Sequence, residues 1–453
     1  MRCLLSCCLI CVTFVSVSLA EDQPTYLLSP ELTAGDTSEV KVNVEVGGEI
    51  HQTFEDKKQQ LPLSVTAELA YLETMLTWSP DVDEPARSLR EYVKAEAKIQ
   101  KGKYGHLREL PLEKRTIAAE VREDRVKLSG VDTPLTRDQY DLINTVGNTL
   151  ILNRLLPNEE LAEGDSWKHD NSTIGALLGM DNIVVCEMSS IVTGCEHHQV
   201  QIRLAGTVHG TIDGAPTEMD LRAAYLFHQE KKRITKFNLA IKEKRNASQL
   251  VPGLDVVAKV SVIVSPTESE TELQNRAQLS NTTASLSTDL SYEAPERGYQ
   301  FLHDAAWYVI AEQRDRVSLR SLHEGNVTAH CSLTTLPARG EGRETTLEQF
   351  ERDVREMLGE HLSTVSASTS WTTEQGHNCL GVVAQGETEG IAIEWRHYLI
   401  ASPDRPRVSM SVTIEQSQLE SFGDADRQLV DTLELLEKPV TKTAKKAATQ
   451  TSR

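Results

Sequence analysis

Residues 265–288 read SPTESETELQNRAQLSNTTASLST. The stretch is rich in Ser, Thr and Glu, has no aromatic residue and only scattered Leu and Ala, so it buries too little apolar surface to offset the entropy of ordering it. It reads as a linker. Long regions of alternating apolar and polar residues lie on each side, which implies two β-rich domains in tandem. The expected organisation is a leader over 1–20, an N-terminal β-rich domain over 21–264, the linker over 265–290, an α+β domain over 291–437 and a basic tail over 438–453.

Working outward toward the N-terminus, Val40, Val42, Val44 and Val46 alternate with charged or amide residues and are followed by Gly47-Gly48. Period two marks a half-buried strand, and the glycine pair reads as its closing turn. Leu61 to Tyr71 repeats the pattern, with Pro62 suggesting a sheet edge or strand start. In Asp83 to Ile99 the apolar residues Leu89, Tyr92, Val93 and Ala97 recur at three and four, which favours a helix over a strand. Thr136 and Gln139 form a capping box ahead of Tyr140, Ile143 and Val146, predicting one short helix packed over the sheet. From Ile183 to Val264 five long alternating runs follow, with Gly210 and Asp213-Gly214 at expected hairpin turns. The expected N-terminal architecture is therefore a curved antiparallel sheet or partial barrel with few helices.

Beyond the linker, strands are expected at Trp307 to Ala311, Val317 to Leu322 and Val327 to Leu333. Thr345 and Glu348 then suggest a capped helix carrying Leu347, Phe350, Val354 and Met357 and closed by Gly359. Strands at Asn378 to Gln385, Ile391 to Ile400 and Val408 to Glu415 precede a last helix near Asp424. The fold class is α+β: an antiparallel sheet with two packed helices. This order, with Gly298-Tyr299-Gln300-Phe301, Trp307, Leu347-Glu348-Gln349-Phe350, Ile393-Glu394-Trp395 and Phe422-Gly423-Asp424-Ala425-Asp426, resembles the PsbP-like domain of extrinsic photosystem proteins and exported bacterial proteins. The whole chain also resembles a group of two-domain exported bacterial proteins. The resemblance implies an accessory or assembly role through protein contacts and carries over no functional residue.

MRCLLSCCLICVTFVSVSLA, with Arg2 before an apolar run and small Ser18 and Ala20 before Glu21-Asp22, has the form of a cleaved secretory signal peptide, the competing reading being a retained anchor. No later stretch is long enough for a membrane helix, so the expected mature protein is exported, periplasmic or secreted, with no transmembrane segment after cleavage. The net charge of -20 argues against a nucleic-acid binder. Four cysteines remain after cleavage: Cys186 and Cys195, then Cys331 and Cys379. An oxidising compartment suggests one disulfide per domain, worth about 3 and about 4 kcal/mol on a loop-entropy argument. The alternation around Cys186 and Cys195 leaves buried free thiols as the competing reading.

Chemistry-bearing motifs are sparse. There is no G-x-S-x-G elbow, H-E-x-x-H pair, P-loop or dinucleotide fingerprint. Glu196-His197-His198 with His209 is the most ligand-like cluster, but adjacent residues on a strand face opposite ways. No cofactor or metal is expected. Four N-x-S/T sequences, at Asn171, Asn246, Asn281 and Asn326, are glycosylation acceptors only in a eukaryotic secretory pathway. Two functional readings follow: a non-enzymatic envelope protein acting on an unknown protein partner, and a carrier holding a lipid or other apolar ligand on a curved sheet lined by Val42, Val65, Leu204, Leu221 and Phe237. The carrier reading requires an apolar cavity there. A core packed solid against Tyr140 and Ile143 removes it.

Overall fold

A computed structural model describes residues 23–54, 57–81, 84–122, 125–248, 251–267, 289–323, 326–339 and 344–437. The expected signal peptide, nearly all of the expected linker, Asn281 and the basic tail lie outside these residues. The chain is α+β and dominated by antiparallel strands, in two β-rich domains.

The N-terminal domain is built from β1 (Thr25–Leu27), β2 (Thr37–Phe54), β3 (Lys57–Thr77), β4 (Ala86–Lys101), β5 (Tyr104–Glu109), β6 (Thr116–Arg122), β7 (Arg125–Gly130), β8 (Leu135–Thr136), β9 (Glu160–Ala162), β10 (Ser166–Lys168), β11 (Asn182–Glu196), β12 (Gln199–Ile212), β13 (Ala215–His228), β14 (Arg233–Arg245) and β15 (Gly253–Thr267). Twelve of these form one sheet, in the order β10-β11-β12-β13-β14-β15-β2-β3-β4-β6-β7 with β5 also on β4. At about 3.3 Å per residue, β3 alone spans about 70 Å. Burial alternates most regularly in β13, where Met219, Leu221, Ala223, Tyr225 and Phe227 face inward and Glu218, Asp220 and Arg222 face water. Helices α1 (Arg137–Ile143), α2 (Thr149–Leu152) and α3 (Asn171–Leu178) cover the apolar face.

Several sequence expectations hold locally and others fail for identifiable reasons. The Thr136–Gln139 capping box is present at α1, and Asp213-Gly214 is a hairpin turn with both residues at positive φ. Gly210 lies within β12, opposite Thr217, and makes no turn. Gly47-Gly48 is not a turn either: β2 runs through it to Phe54. Gly48 is needed for close approach, because a Cβ there would lie 2.2 Å from the Asp255 carbonyl oxygen on β15. The described part of the segment expected to be helical is extended: Ala86 to Ile99 forms most of β4. A bulge leaves Val93 without a partner on β3, between Tyr92 opposite Tyr71 and Lys94 opposite Ala70. Buried positions step by two through Ser88, Arg90 and Tyr92, jump by three to Ala95, and resume at Ala97. The bulge brings Tyr92 and Ala97 to one face, whereas Leu89 packs on the other and Val93 is exposed, so the three-and-four spacing ran through residues that share no face. Pro62 lies one residue beyond the last β3 residue that β4 pairs, so its missing N–H disrupts no ladder on that side.

The C-terminal domain adds β16 (Leu290–Ala294), β17 (Tyr299–His303), β18 (Trp307–Glu312), β19 (Arg316–His323), β20 (Asn326–Leu336), β21 (Leu362–Thr372), β22 (Asn378–Thr388), β23 (Ile391–Ala401), β24 (Arg407–Glu415) and β25 (Glu434–Leu435). Seven pair in the order β18-β19-β20-β24-β23-β22-β21, and β25-β17-β16 form a small sheet that takes β8 as a parallel fourth strand. Helices α4 (Leu347–Leu358), α5 (Leu419–Phe422) and α6 (Ala425–Thr432) pack on it. Phe350 and Val354 of α4 join Leu380, Val382 and Leu399 on one face, while Phe422, Leu429 and Val430 join Ile400, Met410 and Val412 on the other. The α4 capping box is Thr346 with Gln349, one residue beyond the expected Thr345 with Glu348. Strand β15 continues to Thr267, three residues into the expected linker. Strand β21, which sequence alternation did not reveal, is a sheet edge.

Candidate functional site

Four of the five expected lining residues, Val42, Leu204, Leu221 and Phe237, are at most 3% exposed and belong to one core with Ile143, Leu150, Leu155, Ile174 and Leu177. Tyr140 packs against that core, whereas Val65 is only half-buried and stands outside it. Gly147 brings the backbone after α1 down onto the sheet floor. Its positive φ of 87° is one only glycine adopts readily, and a Cβ there would lie 3.1 Å from Val262 and 3.8 Å from Phe237. The lining residues are thus brought together, but by the chain's own helices.

A buried ion pair fastens this filling. Arg90 and Glu73 are cross-strand partners on β4 and β3, 2% and 4% exposed, with Arg90 Nε 2.8 Å from Glu73 Oε1. Arg90 Nη2 also donates to Asn148 Oδ1 (2.7 Å) and Thr149 Oγ1 (3.1 Å) at the start of α2. Glu73 Oε1 accepts from Thr149 Oγ1 and Ser88 Oγ, both at 2.8 Å, and the Tyr71 ring lies 5.1 Å from the guanidinium. A buried pair tolerates desolvation only when its remaining donors and acceptors are satisfied, and here they hold α2 to the sheet. Sequence reading missed it because Glu73 and Arg90 look like ordinary solvent-facing members of alternating runs. The cavity beside it, lined by Asp36, Ser38, Thr149, Asn153 and Arg233, has about 20 Å³, room for about one water.

A second polar group, Ser190 with His169 and Tyr225, has the elements of a nucleophile and base. Tyr225 donates to Ser190 Oγ at 2.8 Å, leaving the serine proton for His169 Nε2, also at 2.8 Å. Burial pushes His169 down to about 4, so the imidazole is neutral and able to accept. Ser190 is 0% exposed, however, and lies under Tyr225 in the core. The arrangement ties β10 and α3 to the sheet and offers no access to a substrate.

The four described cysteines are free thiols, correcting the expected disulfides. Cys186 and Cys195 sit nine residues apart on the same strand, on the order of 30 Å. Cys331 on β20 and Cys379 on β22 are separated by β24 and β23, about 14 Å across the sheet. Both are buried, and burial raises their thiols well above the usual range. His197 and His198 form the positive-φ turn between β11 and β12, whereas His209 lies toward the far end of β12. Among the described residues no three His, Cys, Asp or Glu side chains are grouped as a metal site.

What remains open is the junction between the domains. Strand β8 pairs with Leu290 and Ser291 of β16, Arg137 of α1 donates to the carbonyl oxygens of Ala305 and Trp307, and its guanidinium lies 4.3 Å from the Tyr308 ring centroid. Tyr308 donates to Asp213 Oδ1 at 2.8 Å, and burial together with the Asp213 charge raises the phenol's pKa. The Asp213-Gly214 hairpin therefore touches the second domain and roofs a cleft of about 500 Å³. Its walls include Ser248, Thr328, His330, Thr413 and Glu415. Leu322, Val327 and Ile393 add apolar wall, and this mixture of hydroxyls, carboxylates, an imidazole and aliphatic side chains suits a peptide, which brings both a hydrogen-bonding backbone and apolar side chains.

No family model and no curated protein matches the chain. Solved structures give remote neighbours. Cyanobacterial PsbP from Synechocystis sp. PCC 6803 aligns at 10% identity and a TM-score of 0.26, over 32% of this chain and 92% of that one. A Bacteroides thetaiotaomicron VPI-5482 protein aligns at 9% identity and 0.25, so this chain spans 48% of that chain's length and 33% of its own. Lipovitellin aligns at 10% identity and 0.31, over 53% of this chain and 27% of the other. PsbP thus stands among the remote neighbours, without a family match behind it.

Proposed function

We propose that this chain is an exported envelope protein without chemistry of its own that works by binding another polypeptide. The observation that carries this reading is the filled apolar face of the long sheet: α1 to α3 occupy the place an apolar ligand would take. The cleft under Asp213-Gly214 is an open concavity whose lining mixes polar groups with apolar side chains. A partner segment entering it would find acceptors at Asp213 and Glu415 and hydroxyls at Ser248, Thr328 and Thr413, while the outer faces of the long strands offer broad charged surface.

The test is native mass spectrometry of the mature protein released gently from its own cell envelope. The expected result is a chain beginning near Glu21 that carries a stoichiometric polypeptide, with that complex weakened when Thr413 and Ser248 are replaced by bulky residues. An extra mass that extracts into organic solvent overturns the reading in favour of the apolar-ligand carrier. Recovery with the first 20 residues intact in the cytoplasm overturns the export.

A further inference from the structure

We propose that the second half of β21 is a self-pairing edge through which two copies of this chain join their seven-stranded sheets. Strand β21, LSTVSASTSWT, is an eleven-residue edge without a charged residue or proline. Exposed edges are normally blunted, because their unpaired N–H and C=O groups are templates for another strand. The other described edges are short, charged or bulged: β1, β8, β9, β10 and β25 have two or three residues, β5 and β7 have six and carry charges, β18 is bulged between Val309 and Ala311, and the part of β11 that β10 leaves open is bulged at Ile183/Val185 and Val192/Gly194 and carries Glu187 and Glu196. In β21 two bulges, at Leu362/Thr364 and Val365/Ala367, protect the first half only. From Ala367 to Thr372 the strand is regular and open.

The register says what fits. Thr373 N donates to the His377 carbonyl oxygen, so by antiparallel alternation Trp371 and Thr369 direct their backbone groups at β22. Ser368, Ser370 and Thr372 direct theirs outward. A two-fold axis through Ser370, perpendicular to the sheet, pairs Ser370 with Ser370 and Ser368 with Thr372, forming about six backbone hydrogen bonds. The pairs between them join Thr369 of each copy to Trp371 of the other, on one face. Trp371 is a fixed platform for this contact: it lies over Gly381, meets Tyr398 edge-on at 6.1 Å, and is covered by Arg427 at 3.9 Å. On the opposite face only hydroxyls meet, and no like charges oppose one another anywhere along the pairing. Helix α4, which flanks that face, carries both signs in Glu351, Arg352, Arg355 and Glu356. A second copy satisfies every one of these conditions, and the proposal stands independently of the function proposed above.

Sedimentation velocity on the full mature chain over a wide concentration range is the test. Wild type is expected to form a concentration-dependent dimer. Ser370→Lys places two like charges on the axis and is expected to weaken association by at least about tenfold. Ser370 is exposed, so its circular dichroism and unfolding midpoint should match wild type. Ser370→Pro removes an outward N–H that bonds nothing within the chain and should abolish the dimer likewise, which covers the case in which the lysine variant folds poorly. A wild type that stays monomeric throughout overturns the proposal. So does a dimer that both variants leave intact.

Discussion

Glu73 and Arg90 show how much a single pair of side chains carries here. Each is almost fully buried and each satisfies the other, so Glu73→Gln alone leaves a guanidinium in the core without its counter-charge. The expected loss is about 3–5 kcal/mol by urea unfolding, whereas the apolar double variant Glu73→Leu/Arg90→Met should lose less than the single one. A second residue-scale prediction concerns acid. His303 and His397 are 2% and 4% exposed, and burial pushes both down to about 4 from the ordinary 6.5. Between those values the unfolded chain binds more protons than the folded one. Their stabilising effect is therefore complete above about pH 6.5 and is lost as pH falls through the window toward 4, by on the order of 2–3 kcal/mol each. Urea midpoints should fall accordingly, and His303→Gln/His397→Gln should flatten that slope even if it lowers stability. Neither feature is legible in a sequence, where a charge on an alternating strand reads as solvent-facing.

Elements were legible where one rule acted alone. The long alternating runs became strands, and Thr136-x-x-Gln139 became a capped helix, because each is a local pattern with a local cause. They misled where a tertiary contact changed the meaning of a residue. Gly47 and Gly48 read as a turn but lie inside β2 opposite β15, and they separate sharply: Gly48→Ala is expected to cost about 1–3 kcal/mol, since its Cβ would strike the Asp255 carbonyl, while Gly47→Ala, with nothing within 4 Å, should be nearly neutral. Comparison of their urea midpoints checks both. Helix α3 went unread because its cap, Asp170, follows a histidine in a polar stretch without an apolar lead-in. Asp170 accepts from Thr173 N at 2.7 Å, and Asp170→Ala should cost about 1 kcal/mol in the same assay.

At the scale of the whole molecule, two domains are held by β8 on β16, by Arg137 and by the Tyr308–Asp213 hydrogen bond. Arg137→Ala should speed amide exchange across 135–137 and 289–291 while leaving exchange in β13 and β24 unchanged; uniform protection at the junction would show that Arg137 is dispensable there. The sequence by itself determined β-rich class, alternation and the helices with capping boxes, because backbone geometry and burial periodicity act over a few neighbouring residues. Only the tertiary structure decided that the apolar face of the long sheet is covered by the chain's own helices, that the four described cysteines are too far apart to pair, and that β21 stands at an edge. Each of these depends on which strands become neighbours, and neighbours separated by tens to hundreds of residues leave no mark in local pattern.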